Sequence, residues 1–282
     1  MAKVNNGGTM IKESGSVNFL YNTAFGRLLL KLLVCPWVSK VAGVFLDSPF
    51  SKPMIGKFVK KNNIDISLYE DCKYKSFNDF FIRKKKQVVM DGTDTDFVSP
   101  CDGYLTVYPI DETSVFKIKN SCYDVKSLLD DEDLANKYQG GMCFIFRLMP
   151  HHFHRYSFTD DGYVKSSKSI KGILHCVRPV ACERYPVYVQ NKREFTEIET
   201  KNFGSVIQME VGAIVVGKIN NRKDVWKVKR GEEKGYFEFG GSTIIMLTQK
   251  DVVTVDNDLL EKSRNGIETD VEIGNIVAKK VL

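Results

Sequence analysis

The chain has 282 residues, of which 43% are hydrophobic, and a formal net charge of +6. This length allows one large domain or two small ones with an ample core. The seven cysteines are odd in number, include no Cys-x-x-Cys pair and follow no recognisable secretory signal, which predicts reduced thiols in a cytosolic setting. Apart from the crowded His151, His152 and His154, no His or Cys group has zinc-like spacing, so we expect no metal site.

The positive charge is concentrated in the first third of the chain. Residues 1–86 contain 15 Lys and Arg against 6 Asp and Glu. The same third is rich in Leu, Phe, Val and Trp, but no apolar run reaches the roughly 18 to 20 residues that span a bilayer. Basic residues among such side chains are typical of helices in the headgroup layer of an anionic membrane surface. A helical hairpin packed on its own domain is the alternative, and nucleic acid is not an expected partner because no recognised module is present.

Helical patterning dominates the N-terminal region. Residues 1–16 are polar and predict a flexible tail, and residues 17–90 are expected to form the helical membrane-surface region. Pro36, Pro49 and Pro53 are expected to break the helices. Near the end of this region, Ser76 is expected to cap a short helix that carries Asp79 at its third position.

From about residue 98 onward, short β-rich segments alternate with Gly, Asn and Asp. The predicted strands are residues 104–109, 141–149, 206–211, 213–219, 236–239, 243–247 and 267–273. Residues 125–138 have helical spacing instead. The predicted fold class is therefore α+β, with a mostly antiparallel β domain at residues 91–282 preceded by N-terminal amphipathic helices.

A Gly-Gly-Ser-Thr sequence at residues 240–243 lies between two apolar runs. A serine behind two glycines has little steric cover over the preceding carbonyl, so the Ser242 hydroxyl is placed to attack the Gly241 carbonyl carbon. The alternative is an ordinary Gly-Gly hairpin, which such a short motif by itself favours. The surrounding segments must decide between the two.

Three other segments carry candidate chemistry. Asp102 lies in a tight turn at residues 99–103 (SPCDG), and the three clustered histidines follow a predicted strand at residues 148–156 (LMPHHFHRY). Residues 210–219 (EVGAIVVGKI) contain two glycines where backbones are expected to approach closely. Taken singly, each is better explained as a turn former, a core or surface histidine, or a bulge.

Together, and in this order, the segments resemble the phosphatidylserine decarboxylase family, whose members depend on a pyruvoyl group. The resemblance extends from about Phe19 to Gly274. It rests on residues 77–83 (FNDFFIR), 99–103 (SPCDG), 191–194 (NKRE), 202–204 (NFG), 210–213 (EVGA) and 230–243 (RGEEKGYFEFGGST). The last of these is highly specific.

The resemblance implies self-cleavage between Gly241 and Ser242, with Ser242 converted into a covalent pyruvoyl cofactor and the two pieces remaining associated. The substrate would be phosphatidylserine, which forms a Schiff base with the pyruvoyl group and loses carbon dioxide to give phosphatidylethanolamine. Asp102 matches the carboxylate that orients the base for cleavage. His154 matches the first histidine of the family's His-Arg-x-His segment and is the candidate proton donor for the decarboxylated substrate.

The sequence departs from the family at Ser157, where the second histidine of that segment, the base for self-cleavage, would stand. Either His151 or His152 reaches the site, or a weaker base suffices for a single turnover. The alternative is an uncleaved, non-catalytic lipid-binding relative. An ordinary serine esterase is disfavoured because no Gly-x-Ser-x-Gly motif is present.

The lipid substrate and the basic helices together predict a peripheral protein at the cytoplasmic face of the cell membrane. A homodimer stays open. Cys101, where the family commonly has a small residue, is expected to pack as a small hydrophobe beside Asp102.

Overall fold

The structure of the protein is a computed structural model that describes residues 15–118, 121–177, 179–182, 185–213, 218–223, 225–240 and 242–281. The predicted tail at residues 1–16 lies outside this description, apart from Gly15 and Ser16, which open the first helix.

Five helices precede the first strand. They are α1 (Gly15–Asn22), α2 (Ala24–Leu33), α3 (Pro36–Asp47), α4 (Met54–Asn62) and α5 (Phe77–Phe81), with 3-10 turns at Pro49–Ser51 and Ile66–Leu68. The three prolines mark boundaries as predicted, because Pro36 opens α3, Pro49 opens a 3-10 turn and Pro53 caps α4. The predicted cap of α5 is confirmed, since the Asp79 amide donates to Ser76 Oγ at 3.1 Å.

Strands dominate the rest of the chain. They are β1 (Asp96–Val98), β2 (Gly103–Pro109), β3 (Val115–Ile118), β4 (Ser121–Asp124), β5 (Met142–Leu148), β6 (Arg155–Ser157), β7 (Gly162–Ile170), β8 (Arg193–Thr200), β9 (Ser205–Val211), β10 (Ile219–Asn221), β11 (Lys227–Val228), β12 (Glu233–Phe237), β13 (Ser242–Thr248), β14 (Val253–Thr254), β15 (Thr269–Val271) and β16 (Ile276–Lys280). Short helices lie between them: α6 (Val125–Leu129), α7 (Glu132–Asn136), α8 (Pro179–Cys182), α9 (Val187–Gln190) and α10 (Asn257–Arg264). The predicted α+β class is confirmed.

An eight-stranded antiparallel sheet in the order β11-β7-β8-β9-β13-β5-β2-β15 forms the centre. Successive side chains of a strand point to opposite faces, and two hydrophobic cores accordingly form, one on each face. The first core contains Ile245 and Leu247, and the second contains Ile244 and Met246. Because β9 and β13 are buried along their whole length, the sheet is covered on both sides.

The turn between β12 and β13 is not a hairpin, so that alternative for residues 240–243 is wrong. β12 pairs with β10 and β6 in a small three-stranded sheet, whereas β13 pairs with β5 and β9 in the central sheet. The Gly-Gly-Ser-Thr segment therefore crosses from one sheet to another.

Three predicted strands have clearly different bounds in the structure, and of residues 267–273 only Thr269–Val271 form a strand, β15. The prediction for residues 236–239 is shifted, because β12 ends at Phe237. The prediction for residues 213–219 falls largely on residues 214–217, which lie outside the described residues. Of its described members, Ile219 opens β10 and Ala213 lies just after β9.

An aromatic cluster fixes the chain just before the turn. Phe77, Phe80 and Phe81 of α5 are buried, and Phe239 packs against them with its ring centroid 5.0 Å from that of Phe81. The Phe239 amide also donates to Asn78 Oδ1 at 3.0 Å. The N-terminal helices thus hold the end of β12 in place beside the turn.

Candidate active site

The turn places a reactive hydroxyl in a buried position. Gly240 has φ +136°, a conformation that residues with a side chain rarely adopt. Ser242 opens β13 with none of its surface exposed, and its Oγ finds no hydrogen-bond partner among the described residues. Gly241, predicted as the other half of the cleavage site, lies outside the description. A buried hydroxyl without a hydrogen-bond partner is energetically unfavourable.

His154 lies against this turn. Its Nε2 is 3.1 Å from the carbonyl oxygen of Gly240, and its Nδ1 is 2.9 Å from the carbonyl oxygen of His152. The ring is fully buried, and Phe81 covers it with a centroid distance of 4.1 Å. The sequence-predicted histidine and serine are therefore brought to the same turn by elements far apart in the chain.

Burial lowers the pKa of His154 to about 3, and the nearby Arg83 cation contributes in the same direction. The ring is therefore neutral near pH 7, and a neutral imidazole carries one proton for two nitrogens. Each ring nitrogen lies within hydrogen-bond distance of a backbone carbonyl oxygen, so the single proton is donated either from Nδ1 to the His152 carbonyl or from Nε2 to the Gly240 carbonyl.

Asp102 is tied to the loop that carries the histidines. One oxygen accepts from Lys85 Nζ at 2.9 Å and from the Ile273 amide at 2.9 Å. The other lies 3.4 Å from the amide of Phe153, directly before His154. Both Lys85 and Asp102 are largely buried, with side chains about 10% exposed. Asp102 thus positions the histidine loop through its backbone.

Arg83 is a site residue that the sequence reasoning did not single out. Its Nη2 donates to the carbonyls of His151 at 3.0 Å and of His152 at 3.2 Å. The guanidinium lies over the Tyr69 ring, 4.4 Å from the centroid. Arg83 belongs to the FNDFFIR motif at residues 77–83, which could have pointed to it. Nothing within that motif indicates that its side chain donates to a loop 68 residues later in the chain.

His151 and His152, the predicted substitute bases, pack against each other and against Tyr104. Their ring centroids are 4.2 Å apart, and His152 packs against the Tyr104 ring. The Met149 amide donates to His152 Nδ1 at 3.0 Å, so that lone pair is occupied. Burial lowers the pKa of both histidines, which keeps them neutral. Their role stays a prediction.

Ser157 stands at the end of β6 and is buried, with its Oγ unpartnered among the described residues. Its amide donates to the Pro100 carbonyl at 2.9 Å, so it lies beside the turn that carries Cys101 and Asp102. Cys101 packs in the second core as expected, and burial raises the pKa of its thiol. The position at which the resemblance leads us to expect a histidine therefore lies beside the Pro100–Asp102 turn, and a small side chain fills it here.

A buried ion pair lies on the same face of the central sheet as Ser242. Glu210 pairs in register with Ile244, one step along β13 on that face. Lys234 Nζ donates to both Glu210 oxygens, at 2.7 and 2.6 Å, and Asn221 donates to one of them at 2.9 Å. The negative charge of Glu210 is thus paired with Lys234 on the face of β13 to which Ser242 also points.

Comparison with protein-family models matches residues 77–278 to the phosphatidylserine decarboxylase family. The matched segment begins at α5 and ends in β16, so it contains every site residue described above.

Curated proteins agree over nearly the full chain. The chain is 44% identical over 274 residues to phosphatidylserine decarboxylase proenzyme 2 of Clostridium acetobutylicum, covering 95% of this chain and 92% of that relative. It is 40% identical over 276 residues to the proenzyme of Ruminiclostridium cellulolyticum and 38% identical over 272 residues to that of Clostridium perfringens, in each case covering 94% of this chain and 92% of the relative.

Proposed function

The chain belongs to the phosphatidylserine decarboxylase family, and from that membership we propose that it cleaves itself between Gly241 and Ser242 to make its own pyruvoyl group. It is a carboxy-lyase that converts phosphatidylserine into phosphatidylethanolamine and carbon dioxide. The word proenzyme in the relatives' names is in accord with a chain that is synthesised in an inactive, uncleaved form.

The contact between His154 Nε2 and the Gly240 carbonyl, at 3.1 Å, is the observation that carries the proposal. It brings an imidazole to the turn where the family processes its serine. Ser242 opens β13 two residues after Gly240 with its side chain buried, so the candidate nucleophile and the imidazole belong to the same turn. A serine hydroxyl is a weak nucleophile until a neighbouring base takes its proton.

A pyruvoyl group at position 242 would supply an electron sink for the pair of electrons released with carbon dioxide. The chain's own residues do the rest. His154 is placed to deliver a proton to the substrate carbon, and Phe81 shields its ring from water. Lys85 and Asp102 hold the loop that carries His154.

The alternative of an uncleaved, non-catalytic lipid-binding relative gains no support from these comparisons. The relatives compared are named as decarboxylase proenzymes, and they match the chain across the whole site. Ser157 therefore poses a question about how the serine is activated and not about the class of protein.

The N-terminal helices support contact with a membrane surface. One side of α1 and α2 packs on the first core through Tyr21 and Leu30, while the other side leaves large apolar side chains in solvent. No acidic residue occurs between Gly15 and Leu46. The exposed apolar residues of α2, α3 and the following 3-10 turn include Phe25, Leu28, Leu32, Trp37, Val41, Val44, Phe45 and Phe50.

An exposed apolar surface of this extent marks an interaction site, and its basic flanks favour an anionic lipid surface. In the part of the chain that the structure describes, no helix has the length and apolarity needed to cross a bilayer. We therefore propose peripheral binding, with the helices lying in the headgroup layer at the cytoplasmic face.

A cleft of about 550 Å³ between α2 and the segment around His175 suits the apolar part of a phospholipid. Its lining combines Leu28, Leu30 and Val34 with the cations Arg27 and Lys31. The Asn191 amide links the His175 carbonyl, at 2.8 Å, to the Gly212 carbonyl, at 2.7 Å, directly after β9. The cleft thus approaches the end of β9, the strand that neighbours β13.

Denaturing mass spectrometry of the purified chain tests the proposal. We expect two fragments corresponding to residues 1–241 and 242–282, the smaller with a pyruvoyl group and resistant to Edman degradation. Incubation with phosphatidylserine vesicles should then release carbon dioxide. An intact 32.1 kDa chain with no carbon dioxide release would refute it.

A further inference from the structure

The chain just before the proposed cleavage site leaves one sheet before it enters the next. β12 ends at Phe237, whose amide donates to the His154 carbonyl at 2.9 Å. Gly240 has φ +136°, and the chain joins the central sheet only at Ser242. Between these points no strand ladder holds the backbone, so its position depends on the groups to which its amides donate.

The side chain of Asn78 holds this segment at Phe239. Its Oδ1 accepts from the Phe239 amide at 3.0 Å, and its Nδ2 donates to Asp47 Oδ1 at 2.7 Å. Asn78 belongs to α5 and is only 5% exposed. The Phe239 ring packs against the same helix, with its centroid 5.0 Å from that of Phe77. The backbone and the side chain of Phe239 are therefore both fixed by α5.

Asp47 determines which way the Asn78 amide faces. A backbone N–H can only donate and an ionised carboxylate can only accept, so the Asn78 oxygen must face Phe239 and its nitrogen must face Asp47. Reversal of the amide would break both hydrogen bonds. Because Asp47 is the last residue of α3, the position of Phe239 depends on the packing of two helices, α3 and α5.

The segment that Asn78 holds leads directly to the proposed scissile bond. Phe239 lies two residues before Gly241, whose bond to Ser242 is the proposed cleavage site. The intervening Gly240 is the residue whose carbonyl oxygen lies 3.1 Å from His154 Nε2. A displacement of about 1 Å at a reacting centre can slow a reaction about 100-fold, even when the altered residue does not itself react.

We propose that Asn78 is a positioning residue for self-cleavage and that Asp47 orients it. The inference rests on the self-cleavage proposed above. Asn78 acts through the Phe239 amide, because that hydrogen bond fixes the start of the turn that leads to the scissile bond. Without it, the two glycines that follow have no side chains to limit their backbone movement.

The test measures the rate of self-cleavage in full-length chains made by cell-free synthesis, with the 242–282 fragment followed by mass spectrometry. Asn78→Leu keeps the size of the side chain and removes both hydrogen bonds, and we expect it to slow cleavage by about 100-fold. Ser76→Ala is the matched control, because it removes the N-cap of the same helix and leaves the bond from the Phe239 amide in place. Equal slowing in the two variants would mean that Asn78 only stabilises α5, and would overturn the proposal.

An exchange of the two hydrogen-bonding partners separates positioning from packing. In Asn78→Asp/Asp47→Asn, an oxygen at position 78 still accepts from the Phe239 amide, and the amide nitrogen at position 47 donates to the other oxygen. We expect this double variant to cleave within about tenfold of the wild-type rate. A double variant as slow as Asn78→Leu would contradict the positioning role.

Asp47 allows a test without a buried substitution, because it is exposed. Asp47→Ala leaves the Asn78 amide without its second partner and should slow cleavage by about 3- to 10-fold, whereas Asp47→Asn retains an acceptor and should cleave at the wild-type rate. If Asn78→Leu fails to fold, this pair decides, and equal rates in the two overturn the proposal.

Failure of this inference differs from failure of the proposed function. A wild-type chain that never cleaves refutes self-cleavage, and the positioning role with it. A wild-type chain that cleaves, at a rate that neither Asn78→Leu nor Asp47→Ala reduces, refutes the positioning role alone.

Discussion

Two regions of the molecule break opposite rules of folding. Around Ser242, polar groups are buried without partners, although buried polar atoms are normally hydrogen-bonded. Along α2 and α3, large apolar side chains are exposed without partners, although monomers rarely expose such continuous surfaces. The first exception suits a group that must react, and the second suits a surface that must meet something outside the chain.

The strongest test of the buried region removes its nucleophile. Ser242→Ala should abolish cleavage, because no other residue can form the ester, so the 32.1 kDa chain should persist in mass spectrometry. Thr248→Ala is the matched control, since Thr248 is a second buried, unpartnered hydroxyl on β13. Cleavage in Ser242→Ala would show that the buried hydroxyl is structural.

The buried ion pair of Glu210 and Lys234 tests whether the stability of the buried region depends on each buried charge having a partner. Lys234→Met leaves the Glu210 carboxylate buried and unpaired, which should lower the free energy of unfolding by about 3–5 kcal/mol in urea titrations. Replacing both partners, as in Glu210→Gln/Lys234→Met, should recover much of the loss.

Lys165→Met is the control for this pair, because Lys165 and Glu199 form an ion pair with both side chains about half exposed. Its effect should stay below about 1 kcal/mol. Equal losses in Lys165→Met and Lys234→Met would contradict a special role for burial.

The exposed region is tested by adding charge where no packing is lost. Leu32→Glu should weaken binding to phosphatidylserine vesicles by about 10- to 100-fold, since an apolar side chain withdrawn from lipid forfeits roughly 1.5–3 kcal/mol at full burial. The midpoint of thermal unfolding should barely change.

Trp226→Glu is the matched control for vesicle binding, because Trp226 is equally exposed but lies near β7, away from the helices. Equal losses of vesicle binding in the two variants would mean that the exposed apolar face of α2 and α3 is not the membrane-binding surface.

The buried ring of His154 also predicts a pH dependence of stability. The pKa of His154 is lowered on folding to about 3, so the unfolded chain binds more protons than the native one below about pH 6.5. Stability from this group is present above pH 6.5 and is lost as the pH falls towards 3, by up to about 1.4 kcal/mol per pH unit. His154→Gln should show a shallower loss in urea titrations from pH 7 to 4, and an unchanged slope would argue against a buried, neutral ring.

Local patterns were sufficient for much of the fold. Short β-rich segments between Gly, Asn and Asp predicted the strands at residues 206–211 and 243–247, and Ser76 followed by Asp79 predicted the cap of α5, because both depend on neighbours a few residues away. The hairpin alternative at residues 240–243 failed because strand pairing is decided by the whole sheet. Lys85 and Arg83 were missed since their partners are distant in sequence.

The sequence by itself determined the α+β class, the family resemblance, and Ser242, Asp102 and His154 as candidates. Tertiary structure alone decided which histidine lies against the Gly240 carbonyl, and which nitrogen of His152 is already occupied. The physical reason is that residue types fix what chemistry is available, whereas the direction of a lone pair depends on hydrogen bonds and packing between segments that only the folded chain brings together.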